Sequence, residues 1–238
     1  MELARTLIRI EETAMSDFEG MLEATYRRFL QPGDVCVDVG AHAGRHTIPL
    51  MECCGPSGRV LAFEPLPALA AHLRERINND SRSARVELHQ CALADSTGQA
   101  EFVMVVESPG YSGLRERTYD QVVTTERLTV AVRRLDEFTD ELGDLRFIKI
   151  DCEGGELGVL RGGREVITRY RPIVSFECGD ASLINYDHTS ADIFDFFASL
   201  DYRIVSITGI ELDRDGFVLA SAKQEYWDYL AHPAYASL

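Results

Sequence analysis

The feature that most constrains the fold is a regular alternation of short apolar runs with longer segments of helical period. The apolar runs, rich in Val, Ile and Phe, cover residues 35–39, 60–64, 86–92, 147–151 and 173–177. The helix-like segments cover residues 46–54, 68–78, 157–170 and 191–200. Strands that alternate with helices in this way form parallel sheets, because each crossover helix returns the chain to the same edge. The sequence therefore predicts an α/β fold with a mostly parallel sheet.

Other segments depart from this alternation. Residues 100–106 and 122–130 predict an inserted β-hairpin with a long loop, and residues 202–207 and 217–222 predict a terminal antiparallel hairpin. Apolar residues recur at helical spacing from residue 2 to residue 29, which predicts an amphipathic helix. We expect an N-terminal helical extension at 1–33 and one domain at 34–238. The first helix and the Tyr-rich tail that contains Trp227 could pack on a second subunit, on the core or over the cleft.

Composition limits the partners. Of 238 residues, 39 are Asp or Glu and 24 are Lys or Arg, which gives a formal net charge of -15. This surface repels polyanions, so we expect no nucleic-acid substrate. The six cysteines form no CxxC pair, no apolar run is long enough to span a membrane, and the first twenty residues carry charges throughout, unlike a signal peptide. We therefore expect a cytoplasmic protein without a membrane partner.

The first apolar run leads into a glycine loop, VCVDVGAHAGRHT. Asp38 lies near the end of the strand, and Gly40 and Gly44 follow where the strand must turn into a helix. A dinucleotide fingerprint has a second glycine two residues after the first, but this chain has His42 there. The pattern instead indicates a ligand that has no phosphate and that carries ammonium, carboxylate and sulfonium groups. The alternative is a plain strand turn in which Asp38 caps the helix.

The next two strand ends predict further ligand contacts. Glu64 ends the second strand and can accept both hydroxyl hydrogens of a ribose, although it could instead be a surface carboxylate. The turn after the third strand is expected to face an adenine ring, with Ala92 leaving room and Asp95 accepting from the amino group. The full set of expected cofactor contacts is Asp38, Gly40, Ala41, His42, Gly44, His46, Glu64, Pro65, Ala92, Asp95 and Asp151.

Carboxylates mark a second candidate site. Asp151 ends the strand in FIKIDCEGGELGVLRGG, Glu153 follows in the turn, and Glu177 ends the next strand. Clustered carboxylates raise one another's pKa, which suits a general base or a divalent cation such as Mg²⁺. We expect Asp151, Glu177 and Glu153 to be catalytic, with Asp151 and Glu177 as ligands if the reaction needs Mg²⁺. A helix-capping Asp151 is the structural alternative.

The long loop of the inserted hairpin is a candidate substrate contact. It contains glycine, serine and tyrosine, and loops of this length are often lids or binding loops. We expect Tyr111 and Ser112 to contact the substrate, with a merely flexible tip as the alternative.

The segments DVGAHAG, AFEP, ALADSTG, YSGL, LDEF, KIDCEGGELGVLRGG and RPIVSFE occur in the order seen in FkbM-like methyltransferases, which this chain resembles from about residue 34 to residue 222. The resemblance implies a Rossmann-like class I methyltransferase fold with a seven-stranded sheet and S-adenosylmethionine as the methyl donor. It also implies methylation of a hydroxyl on a sugar, a polyketide or another specialised small molecule. By the same resemblance Asp38, Gly40 and Glu64 are cofactor residues. Members of the family commonly have Asn where this chain has His42.

Three other functions remain open from the sequence. N-methylation of a peptide or small amine is one, although the (D/N)PP(Y/F) segment of enzymes that methylate the amino groups of bases is absent. A nucleotide-dependent oxidoreductase is disfavoured by His42. A non-catalytic protein that binds the cofactor is the third.

Overall fold

The computed structural model describes residues 17–80, 85–119 and 121–235. Eleven strands are assigned in this part of the chain: β1 Val35–Val39, β2 Arg59–Phe63, β3 Arg85–His89, β4 Ala92–Leu93, β5 Gly98–Val105, β6 Thr125–Arg133, β7 Leu145–Ile150, β8 Ile173–Glu177, β9 Tyr202–Ser206, β10 Glu211–Leu212 and β11 Asp228–Pro233. The α-helices are α1 Phe18–Tyr26, α2 Thr47–Cys54, α3 Pro67–Asn78, α4 Glu156–Gly162, α5 Arg164–Tyr170, α6 Asp180–Leu183, α7 Ser190–Ala198 and α8 Arg214–Lys223. Short 3₁₀ helices span Pro109–Tyr111 and Leu135–Glu141.

The main sheet has the strand order β10, β9, β11, β8, β7, β1, β2, β3. Five strands are parallel to one another, namely β3, β2, β1, β7 and β8. Strand β11 is antiparallel to both β8 and β9. The chain leaves β1 toward β2 on one side and later returns as β7 on the other. Open α/β sheets bind ligands at such a switch point, outside the carboxyl ends of the strands. The α/β fold with a mostly parallel sheet is confirmed.

Both faces of this sheet are covered, so its central strands are apolar runs rather than alternating ones. Strand β1 is buried along its whole length. Val37 and Val39 belong to a core that includes residues of α4, α5 and α7, whereas Cys36 and Phe147 pack with residues of α1 and α2 on the other face. The predicted crossover segments are helical and each buries one apolar side, although residues 157–170 form two helices, α4 and α5, that meet at Gly163.

The predicted inserted hairpin is present as a small second sheet of order β4, β6, β5. Strands β5 and β6 pair antiparallel from Gly98 opposite Val132 to Val105 opposite Thr125. The loop between them returns to this second sheet through a bridge from Gly113 to Val103 in β5.

The end of the chain corrects the sequence prediction. Residues 217–222, predicted as a strand, lie in helix α8, because Phe217, Ala220 and Ser221 follow a helical period and form its buried side. The side chain of Asp213 accepts a hydrogen bond from the Gly216 N–H at 2.8 Å and so caps this helix. The hairpin partner of β9 is instead the two-residue β10.

The Tyr-rich tail contributes a strand of the sheet, since β11 inserts between β8 and β9. With β10 at the edge, the main sheet has eight strands rather than the expected seven. Helix α1 confirms helical structure at residues 18–26 of the predicted extension, and the part before residue 17 lies outside the described residues. None of the helices described is both long and apolar enough to cross a membrane.

Candidate active site

A cleft of about 490 Å³ opens at the carboxyl edge of the parallel strands. This size is typical of small-molecule sites. The ends of β1, β2, β7 and β8 form its floor, and the start of α1, the Pro109–Tyr111 turn and the start of β11 form its walls. It brings together most of the predicted site residues: Gly40, Ala41, His42, His46, Glu64, Pro65, Ala92, Tyr111, Ser112, Asp151, Glu153 and Glu177.

The glycine loop is shaped by its contacts with neighbouring strand ends. Gly40 has φ +77°, and a Cβ there would lie 1.7 Å from the backbone oxygen of Asp151. The N–H groups of Gly40 and Ala41 both donate to the backbone oxygen of Phe63 at 3.0 Å. A glycine is therefore required at position 40 chiefly because β1 and β7 approach each other closely there. This close approach forms the floor of the cleft.

Glu64 is fixed in the cleft wall by two backbone donors. Its Oε2 accepts from the His42 N–H and its Oε1 from the Leu66 N–H, both at 2.8 Å. Burial raises the pKa of Glu64 to about 7, although both hydrogen bonds act in the opposite direction. Each oxygen keeps a further lone pair, so a ligand diol that donates two hydrogen bonds would stabilise the ionised carboxylate.

At the floor of the cleft, Lys149 links two carboxylates. Its Nζ lies 2.9 Å from Asp151 Oδ2 and 3.9 Å from Asp38 Oδ1. The other oxygen of Asp38 accepts a hydrogen bond from the Thr47 hydroxyl at 2.6 Å, at the start of α2. Burial opposes the charge on Lys149, but Asp151 and Asp38 outweigh it and raise the pKa of the ammonium group. Lys149, which the sequence analysis did not single out, thus orients Asp151.

The predicted carboxylates do meet at this edge. Ligand oxygens of Asp151, Glu153 and Glu177 lie within 4.8 Å of one another. Burial, with Asp151 next, raises the pKa of Glu153 to about 8, although its ion pair with Arg117 opposes this shift. Burial, with Asp151 and Asp228, raises the pKa of Glu177 well above its usual value. Asp151 is not a helix cap, because Glu156 accepts the N–H groups of that turn.

Asp228 joins this group from the tail and was missed by the sequence analysis. It pairs with Glu177 in the register of β11 and β8, and both side chains line the cleft. Burial, followed by the charge of Asp151, raises the pKa of Asp228 to about 7. Only the pairing of distant strands reveals this residue, since its sequence neighbours carry no motif.

The loop of the inserted hairpin covers the acidic side of the cleft. The Arg117 guanidinium forms an ion pair with Glu153 and lies 4.8 Å from the centre of the Tyr111 ring. The Ser112 hydroxyl lines the cleft and accepts a hydrogen bond from the Val105 N–H at 3.0 Å. Tyr111 and Ser112 are therefore positioned to face a ligand.

Helix α1 covers the opposite end. His46 Nε2–H donates to Glu19 Oε2 at 2.5 Å, and its Nδ1 lies 3.1 Å from the Tyr26 hydroxyl. The hydrogen bond from His46 lowers the pKa of Glu19 to about 2. His46 therefore ties α1 to the glycine loop as well as lining the cleft.

Three predicted cofactor contacts do not line the cleft. Asp38 is fully buried under the floor, where Thr47 and Lys149 hold it. Gly44 packs on helix α3, since a Cβ there would lie 2.6 Å from the Leu73 side chain. Asp95 is exposed because the turn before it packs on α4, where a Cβ on Gly162 would lie 2.0 Å from the Ala94 oxygen.

The sheet order, the switch-point cleft and the antiparallel β11 define a class I methyltransferase fold. Residues 38–204 match the Methyltransferase FkbM domain, which spans more than half of the sequence. The chain belongs to the FkbM methyltransferase family. This finding confirms the resemblance on which the sequence analysis drew.

Individual relatives agree with this assignment. The chain is 27% identical over 199 residues to 2-O-methyltransferase NoeI of Sinorhizobium fredii, which covers 77% of this chain and 79% of that protein. It is 30% identical over 143 residues to Methyltransferase 1 of Beauveria bassiana, covering 53% of this chain and 57% of the relative. A crystal structure of Methyltransferase FkbM from Methylobacillus flagellatus superposes with a TM-score of 0.52 at 21% identity, over 86% of this chain and 44% of that one. The chain thus spans less than two thirds of the length of the last two.

Proposed function

We propose that the protein transfers a methyl group from S-adenosylmethionine to a hydroxyl of a small molecule such as a sugar, a polyketide or another specialised metabolite. The observation that carries the proposal is the division of one cleft into two chemically different halves. The ends of β1 and β2 supply Glu64 and backbone groups, whereas the ends of β7 and β8 and the start of β11 supply carboxylates. Family membership and the relative named a 2-O-methyltransferase support the same reading.

The first half fits the cofactor. Glu64 has a fixed carboxylate with lone pairs left for the two ribose hydroxyls. Ala92 and Leu93 form an apolar wall suited to adenine, and His42 has a buried Nε2 that lacks a partner among the described residues. The bound cofactor would supply an activated methyl group on a sulfonium.

In the second half Glu177 is the best placed general base. Lys149 neutralises Asp151 and Arg117 neutralises Glu153, whereas Glu177 forms no ion pair in the described part of the chain. Burial, with the charges of Asp151 and Asp228, raises its pKa, which makes this carboxylate a stronger base. Glu177 would accept the hydroxyl proton while the acceptor oxygen bonds to the methyl carbon, the carbon–sulfur bond breaks, and its electron pair stays on sulfur.

A divalent cation fits this half less well than an organic acceptor. Asp151, Glu153 and Glu177 have the spacing of a ligand set. However, the Lys149 ammonium already lies 2.9 Å from Asp151, and Arg117 is paired with Glu153. A divalent ion would have to displace or adjoin both cations, so no step of the proposed reaction uses Mg²⁺.

The test is transfer of tritium-labelled methyl from S-adenosylmethionine to a panel of hydroxylated small molecules, with and without EDTA. Glu177→Gln should lower kcat about 100-fold or more, because a positioned base contributes at least that much. The control Glu165→Gln removes an exposed carboxylate of α5 and should retain full activity. Full activity of Glu177→Gln would exclude Glu177 as the base, and transfer only to amines would favour N-methylation.

A further inference from the structure

Asp228 is a buried carboxylate that faces the cleft and has no side-chain partner among the described residues. Only 5% of its surface is exposed. Its side chain lines the cleft but accepts no hydrogen bond and forms no ion pair within the described residues. A buried carboxylate is costly to ionise unless a cation or donors compensate it. A group that supplies this compensation is therefore the natural occupant of the space beside Asp228.

The nearby cations are committed to other carboxylates. Lys149, at the floor of the cleft, contacts Asp151 and Asp38, and Arg117 is paired with Glu153 from the loop above. On the side of α1, the His46 ring is paired with the Glu19 carboxylate. Asp228 and Glu177, opposite each other on β11 and β8, form no ion pair with any of these cations in the described part of the chain.

We propose that Asp228 and Glu177 form an ammonium subsite and that the methyl acceptor is a small amino alcohol, a class that includes amino sugars. Its protonated amine contacts Asp228 while its hydroxyl reaches Glu177. Directly opposite residues of antiparallel strands have Cβ atoms about 5 Å apart. The amine and the hydroxyl therefore lie close together, on neighbouring carbons or one carbon farther apart. This inference rests on the proposed function, because it names the substrate class of the same site.

The same charges disfavour other acceptors. A neutral polyol would leave the Asp228 carboxylate uncompensated, and an acid would be repelled. An amine paired with the Asp228 carboxylate keeps its proton and has no free lone pair, so the hydroxyl that reaches Glu177 accepts the methyl group. The ammonium charge also stabilises the developing alkoxide beside it.

The experiment compares two small probes on the protein saturated with S-adenosylhomocysteine. The first probe is 2-aminoethanol and the second is ethylene glycol, which has the same size but no charge. Their binding is followed by NMR at constant ionic strength. Asp228→Asn is the test variant, and Asp140→Asn is the matched control, because it removes an exposed carboxylate outside the cleft. The affinity for S-adenosylhomocysteine is measured for every variant.

The proposal predicts that 2-aminoethanol binds at least tenfold more tightly than ethylene glycol in the wild type. In Asp228→Asn this preference falls to about one, whereas Asp140→Asn retains it. Equal binding of the two probes by the wild type would overturn the ammonium subsite, even if the variant failed to fold. Competition by millimolar Mg²⁺ that depends on Asp228 would also overturn it, in favour of a metal site.

The cofactor measurement separates the acceptor subsite from the proposed function. S-adenosylhomocysteine should bind Asp228→Asn and wild type with affinities that agree within about threefold. A tenfold loss would instead assign Asp228 to the ammonium group of the cofactor and overturn the acceptor subsite. No binding of S-adenosylhomocysteine to folded wild type would refute the proposed function itself.

Discussion

Replacing Gly40 by alanine should separate the cost of its backbone conformation from the cost of the close approach between β1 and β7. Gly40 has φ +77°, and a Cβ would lie 1.7 Å from the Asp151 oxygen, where ordinary contacts begin near 3.4 Å. Gly143 is a matched control, since it has φ +50° and a Cβ there would meet nothing within 4 Å. Alanine at Gly143 therefore carries the conformational cost alone, about 1 kcal/mol.

Gly40→Ala must also move two backbone segments apart. This would strain the loop by roughly 1–3 kcal/mol. It would weaken the hydrogen bond from the Asp151 N–H to the Val39 oxygen, now 3.1 Å, at a cost of about 1 kcal/mol. Urea denaturation should show a total loss of about 3–5 kcal/mol for Gly40→Ala and about 1 kcal/mol for Gly143→Ala.

The affinity for S-adenosylhomocysteine should fall at least tenfold in Gly40→Ala and stay unchanged in Gly143→Ala. Equal stability and equal affinity of the two variants would refute the claim that Gly40 sets the floor of the cleft.

Three further substitutions test the charges around the cleft. Burial raises the pKa of Asp228 from 3.8 to about 7, so its ionised carboxylate destabilises the folded state most above pH 7. Asp228→Asn should therefore increase the free energy of unfolding by up to roughly 4 kcal/mol at pH 8. That gain should shrink as the pH falls through 7 and vanish below about 4, and denaturation curves without a gain at pH 8 would contradict it. Lys149→Met leaves two carboxylates uncompensated and should destabilise the protein by about 3–5 kcal/mol in the same assay, with a loss under about 1 kcal/mol counting against the buried network. Arg117→Met breaks the ion pair with Glu153 and should speed amide exchange in residues 109–116 at least tenfold, an effect that the control Arg115→Met should lack.

The sequence predicted the parallel part of the sheet because strands buried on both faces are continuous apolar runs. Strand β1 is buried throughout, and the loop that Gly40 and Gly44 predict follows at its end. The sequence does not predict strand β11, because its residues are placed by pairing with β8 and β9 rather than by a local pattern. The segment at 217–222 was misread because a short apolar run fits both a strand and one side of a helix.

The candidate site likewise contains residues that the sequence predicts and residues whose positions depend on packing. Glu64, Asp151 and Glu177 were predicted because residues that end parallel strands meet at one edge. Asp38 also ends a strand, but its depth depends on Lys149 and Thr47, whose positions follow only from the packing of β7 and α2. Asp95 does not line the cleft, and nothing in the local sequence shows that the turn before it packs on α4.

The most direct test of the central claim is calorimetric titration of the purified protein with S-adenosylhomocysteine, with NAD as the competing ligand. We expect micromolar binding of S-adenosylhomocysteine and none of NAD. Glu64→Gln should weaken the binding at least tenfold, because hydrogen bonds to a charged carboxylate are worth about 1.5–3 kcal/mol each. Failure of the folded wild type to bind S-adenosylhomocysteine, or binding that Glu64→Gln leaves unchanged, would contradict the assignment of this cleft.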